Sequence, residues 1–94
     1  MESELKQKID MALKLACKDD SNPRIELDDV APDRVAGVVL STVFAPLSPH
    51  ERQDLIWDEL DKALTSHERT RITFILTDTP EEYRLLTQAR AAGG

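Results

Sequence analysis

The spacing of apolar residues changes period several times along the chain, and each change marks an element. From Ser3 to Lys18, Leu5, Ile9, Ala12, Leu13 and Ala16 fall on one face of a helix. Lys6, Lys8, Asp10, Lys14 and Lys18 lie mostly on the other face and read as a solvated surface. Asp19-Asp20-Ser21-Asn22-Pro23 ends the helix with five turn-favouring residues. From Arg24 to Val30 the period drops to two, with Ile25 and Leu27 alternating with Glu26 and Asp28, which predicts a strand. Ala31-Pro32-Asp33-Arg34 is a turn in which Pro32 fixes φ. Val35 to Thr42 is apolar on both alternating faces, so it predicts a second, more central strand. The short link makes the two strands an antiparallel hairpin. Val43 to Leu47 is an apolar connector broken by Pro46, with Phe44 as a core plug.

A helical period returns after Ser48-Pro49-His50-Glu51. This is a capping box: Ser48 accepts from the amide of Glu51, Glu51 reaches back to the amide of Ser48, and Pro49 occupies the first helical position. Gln53, Ile56, Trp57, Leu60, Ala63 and Leu64 share one side of this helix, and Asp54, Asp58 and Asp61 the other. Leu55 falls among the acids, either as a tolerated exposed leucine or as a partner contact. Ser66-His67-Glu68-Arg69 reads as a polar loop. Thr70 to Thr77 is a third strand, with Ile72, Phe74 and Leu76 on one face and Arg71, Thr73, Ile75 and Thr77 on the other. Thr79-Pro80-Glu81-Glu82 repeats the capping pattern and opens a last helix to about Ala91, with Tyr83, Leu86 and Ala89 facing inward. The predicted architecture is α+β in the order α-β-β-α-β-α, one domain over 3–91 with a fraying tail at 92–94. Helices cover one face of a three-stranded mixed sheet, and the helix between strands two and three is a right-handed crossover if those strands pair in parallel.

Composition narrows the function classes. The 94 residues suit one domain with a modest core, and 40% are hydrophobic. Twelve basic and 18 acidic residues give a formal charge of −6, which disfavours phosphate backbones and anionic membranes. The single cysteine, Cys17, excludes an internal disulfide framework and points to a reducing compartment. The acidic N-terminus is unlike a secretory signal, and no apolar run approaches the ~20 residues a bilayer requires. These features predict a cytoplasmic protein.

The patterns that announce chemistry are absent. His50 opens a helix, His67 sits in a polar stretch, and with Cys17 they form no zinc-ligand spacing. Three glycines, two of them terminal, leave no glycine-rich phosphate loop and no G-x-x-G clamp. Ser41 and Ser48 have no nucleophile-elbow context. The paired acids Asp19-Asp20, Asp28-Asp29 and Glu81-Glu82 lie at turns and helix starts, where solvation and capping explain them. No catalytic residue, metal ligand or cofactor is predicted, and the chain reads as a non-enzyme.

Taken as a whole, from about Glu4 to Tyr83, the chain resembles the BolA-like proteins. The strand Val38-Val39-Leu40-Ser41 is followed by a loop containing Phe44. The family's R-H-R-x-I-Y-x-x-L helix segment stands here as Arg52-Gln53-Asp54-Leu55-Ile56-Trp57-Asp58-Glu59-Leu60. Its T-x-x-E-W/Y ending stands as Thr79-Pro80-Glu81-Glu82-Tyr83. The resemblance implies a KH-like α+β sandwich. It also implies a small adaptor that pairs with a monothiol glutaredoxin and shares a two-iron, two-sulfur cluster, some members being transcriptional regulators. This chain departs from the family at the ligands. The histidine at the start of the third strand is Arg71, the helix histidine is Gln53, and the hairpin loop Asp29 to Arg34 offers neither Cys nor His. Thiolate or imidazole ligands hold such clusters, and these residues supply neither.

The resulting expectation is a non-catalytic BolA-like adaptor or regulatory module. It binds a protein partner, with a monothiol glutaredoxin as the candidate, through Arg52, Gln53, Leu55 and Arg71. Gln53 has a second reading, as a residue that satisfies a buried backbone group. One alternative function is a KH-like nucleic-acid-binding regulator, which needs Arg24, Arg34, Arg52, Arg69, Arg71, Arg84 and Arg90 to gather on one face. The other is an iron–sulfur carrier partnered with a monothiol glutaredoxin.

Overall fold

The computed structural model describes residues 3–93. The elements are α1 (Ser3–Ala16), β1 (Arg24–Ala31), β2 (Arg34–Leu40), a 3₁₀ turn (Thr42–Phe44), α2 (Pro49–Ala63), α3 (Ser66–Thr70), β3 (Ile72–Asp78) and α4 (Pro80–Gly93). The fold is α+β with a mixed sheet of order β1-β2-β3, in which β1 and β2 run antiparallel and β2 and β3 parallel. The most apolar strand is the central one, as its two-sided pattern predicted.

The core lies between one sheet face and the helices α1 and α2. The predicted stripe of α1 is buried in full, joined by Cys17. Ile56, Leu60 and Leu64 meet it from the second helical segment, and Phe44 is completely buried beneath the 3₁₀ turn. The sheet contributes Val35, Val39, Ile72 and Ile75. Gly37 lies on this face with little room above it. A Cβ there would stand 2.8 Å from Leu27 Cδ2, a side-chain end that must move aside, and 3.2 Å from the carbonyl oxygen of Glu26.

Both predicted capping boxes form, at Ser48 with Glu51 and at Thr79 with Glu82. A third forms where the sequence predicts a polar loop. Thr65 accepts from the amide of Glu68, and Glu68 accepts from the amide of Thr65, so Ser66–Thr70 closes into one helical turn. The central strand stops at Leu40, short of the expected Thr42. Ser41 still donates its amide to the Asp78 carbonyl of β3, but its hydroxyl caps the 3₁₀ turn that follows: it donates to Asp20 at 2.9 Å and accepts from the amide of Val43. Asp20 also accepts from the amide of Thr42, so the turn after α1 holds the end of β2 in place. The last helix runs past Ala91 to Gly93. Of its three expected inward residues, Tyr83 is half-buried and Leu86 exposed, while Ala89 lies outside the residues whose side chains are described.

The third strand departs from simple alternation. Val35 pairs with Ile72, but Ala36 pairs with Phe74, so Thr73 is an extra residue on β3. A bulge of this kind resets which face each later side chain takes. Ile72 and Ile75 therefore both enter the core, while Phe74 and Leu76 turn to the opposite face. The sequence had grouped Ile72 with Phe74 and Leu76.

Candidate functional site

The expected partner residues begin at the start of α2, and the structure turns two of them inward. Arg52 is 7% exposed. Its Nε donates to the carbonyl oxygens of Phe44 and Leu47, both at 3.0 Å, and its Nη1 to that of Thr77 at 3.2 Å. Nη1 and Nη2 also form a two-point pair with the Glu82 carboxylate at 2.7 and 3.0 Å. One guanidinium thus ties the 3₁₀ connector, α2, the end of β3 and the start of α4 together, as a planar fork with five donors can. Glu82 is at the same time the third residue of the α4 capping box. Arg52, the Thr79 amide and the Thr79 hydroxyl hold its carboxyl down to about 2 from the usual 4.5. Arg52 is an internal clamp, its side chain directed into the fold.

Gln53 follows its alternative reading. Its amide nitrogen donates to the Ile75 carbonyl at 2.9 Å and to the Thr77 hydroxyl at 3.2 Å, and its amide oxygen accepts from the Trp57 indole. It joins α2 to β3, with both amide N–H groups and the amide oxygen engaged inside the fold. Leu55 is half-buried and packs against the core. Arg71 stands apart from these three, at the other end of β3. Its Nε donates to the carbonyl oxygen of Asp33 in the hairpin turn, and its own carbonyl accepts from the amide of Val35. The fold therefore does bring the start of β3 against the hairpin loop, the two places that carry ligands in the BolA-like pattern. The groups meeting there are a guanidinium and a backbone carbonyl. They do not fit an iron–sulfur cluster, which needs thiolate or imidazole donors.

No group of three or more His, Cys, Asp or Glu among the described residues is arranged to hold a metal ion. Cys17 is buried, and burial raises its thiol pKa, so the thiolate is suppressed. His50 and His67 are both exposed. Arg24, Arg34, Arg52, Arg69 and Arg84 each stand within 4 Å of a carboxylate, on Glu26, Asp33, Glu82, Asp61 and Glu81 respectively. The Arg90 side chain lies outside the described residues. No helix among the described residues is long and apolar enough to cross a membrane.

What the structure adds is an apolar surface on the sheet face away from α1 and α2. Phe74 is 48% and Leu76 49% exposed, side by side with Val38 and Ala36 of the central strand. Val30 and Asp28 border them in a shallow depression of about 210 Å³. Tyr83, Leu86 and Thr87 of α4 extend the surface past Val38 and Leu76. Alternation places Phe74 and Leu76 together, and the bulge at Thr73 turns them away from Ile72 and the core. No family model matches the chain, and no curated protein aligns with it significantly.

Proposed function

We propose that the protein is a non-catalytic interaction module of the BolA-like type, acting as an adaptor in the cytoplasm. Its partner docks on the sheet face away from α1 and α2. The observation that carries this reading is the exposure of Phe74 and Leu76 beside Val38, a contiguous apolar surface on an otherwise highly charged chain. The element order supports the BolA-like comparison, and a lone free thiol suits a reducing compartment. A monothiol glutaredoxin is the partner class that the comparison suggests, bound through protein contacts without a shared cluster at Arg71. Acid-paired arginines and the net charge of −6 weigh against the nucleic-acid alternative.

Titration calorimetry with a monothiol glutaredoxin, free of iron, tests the reading. Binding is expected for the wild type and loss of at least tenfold in affinity for Phe74→Asp with Leu76→Asp, roughly the effect of charging the centre of an interface. Equal affinity for both proteins, or no binding by the wild type, would overturn it.

A further inference from the structure

The sheet face away from α1 and α2 is apolar at its centre and acidic at two opposite corners. The depression beside Phe74 carries one charged group, Asp28. A second depression, of about 250 Å³, lies between this face and α4 and shares Val38 and Leu76 with the first. It too carries one charged group, Asp78. Neither carboxylate has an ion pair or a side-chain hydrogen bond among the described residues, although Asp78 stands in the field of the Arg52 guanidinium. The bordering cations are engaged. Arg24, across the sheet from Asp78, holds Glu26 at 2.7 Å, and Arg84 stands 3.8 Å from Glu81. The strand register places the two free acids. Asp28 lies opposite Ala36, Ala36 opposite Phe74, and Asp78 lies further along β3. Two strand spacings of ~4.8 Å across the sheet and about four residues of ~3.3 Å along it put them ~16 Å apart.

We propose that this surface takes an amphipathic helix of a protein partner, its apolar stripe bounded at each end by a lysine or arginine, the two about eleven residues apart. The proposal rests on the reading of this face as the adaptor surface and names the chemistry of what binds there. About eleven residues rise ~16 Å and complete about three whole turns, so both cations project from the side that carries the stripe. The apolar side chains between them meet Val38, Phe74 and Leu76. A helix suits a sheet face because its backbone groups bond to one another. An extended segment laid there would leave its own unpaired over apolar side chains. Along β3 the carbonyls of Ile75 and Thr77 already accept from Gln53 and Arg52, so an added strand would find those acceptors taken. The net charge of −6 favours the approach of a basic segment. A second copy of this chain is the weaker occupant, because it brings the same two carboxylates and the same net charge to the contact.

The probe is a blocked helical peptide of about sixteen residues, with leucines along one face and lysines about eleven residues apart at the ends of that face. Its counterpart has glutamates at the lysine positions. Fluorescence anisotropy reads affinity, and NMR reads location. The lysine peptide is expected to bind saturably and to shift the side chains of Val38, Phe74, Leu76 and Leu86. At low salt it should bind about tenfold more tightly than the glutamate peptide. Asp28→Asn with Asp78→Asn is expected to remove that preference and keep the apolar contacts. Met11→Glu should change nothing, since Met11 stands 66% exposed over a groove of about 450 Å³ between α1 and β1, on the α1 side of the sheet. The two readings fail separately. Binding of the lysine peptide without binding of the glutaredoxin removes the glutaredoxin and keeps the helix site. Glutaredoxin binding that Phe74→Asp with Leu76→Asp abolishes, without peptide binding, keeps the adaptor face and overturns the helix. Equal affinity for the two peptides, shifts centred on Met11 and Leu27, or no saturable binding below about 1 mM would also overturn it. So would a dimer in sedimentation that Phe74→Asp with Leu76→Asp dissolves, which would assign the face to a second copy.

Discussion

Replacing Arg52 by methionine removes the guanidinium while keeping most of the aliphatic stem. Three carbonyl oxygens, of Phe44, Leu47 and Thr77, then lose the guanidinium, and that of Phe44 keeps only the Leu47 amide. Hydrogen bonds to a charged group contribute about 1.5–3 kcal/mol each, and breaking a buried ion pair costs about 3–5 kcal/mol. Glu82 is 46% exposed, so water recovers part of its side of the pair. A net loss of ~3 kcal/mol follows, a large share of the ~5–15 kcal/mol that holds a domain of this size. The thermal midpoint should fall by roughly 12–20 °C. Arg52→Lys keeps the charge but not the fork and should lose about half as much. The same pair predicts a pH effect. Because the folded Glu82 carboxyl sits at about 2, below its usual 4.5, its contribution is complete above about pH 4.5 and disappears as pH falls toward 2. Between those limits the wild type should lose stability more steeply than Arg52→Met, which keeps only the Thr79 contacts to Glu82. Urea unfolding at several pH values measures both effects. A cost below about 1 kcal/mol, or parallel acid profiles, would refute the clamp.

Three further outcomes are expected. Gly37→Ala should cost about 1–2 kcal/mol in urea unfolding, because its Cβ meets Leu27 Cδ2 at 2.8 Å, and Leu27→Ala in the same chain should recover part of that loss. Thr65→Ala should cost about 1 kcal/mol by removing the cap of α3, with the loss seen as faster amide exchange over 66–70. Cys17, buried with its thiol pKa raised, should react with an aromatic disulfide reagent at least a hundredfold more slowly in the native protein than in 6 M guanidinium, roughly as expected of a thiol reached only by opening. Rapid native labelling would show that α1 opens locally.

The sequence by itself determined the elements whose cause is local. Ser48 with Glu51 and Thr79 with Glu82 start helices through bonds made within four residues. The stripe from Leu5 to Ala16 needs only a helical period to define a buried face, and the two-sided apolarity of 35–40 was enough to make that strand central. Thr65 and Glu68 carry the same local signal, yet without an apolar stripe behind it their single turn looks like a loop in sequence.

Tertiary structure decided what each side chain meets. Arg52 looks from its spacing like a surface charge at a helix start, but the connector, β3 and α4 converge on it from 8, 25 and 30 residues away. Gln53 was legible as a satisfier of the backbone, though not which carbonyl it would serve. The exposed Phe74 and Leu76 depend on one extra residue at Thr73, a register shift set by how β3 pairs with β2. The groove beside β1 depends on where α1 settles across the sheet. Periodicity records whether a residue prefers burial; which face of a sheet it takes, and what remains uncovered, is fixed only when distant segments pack.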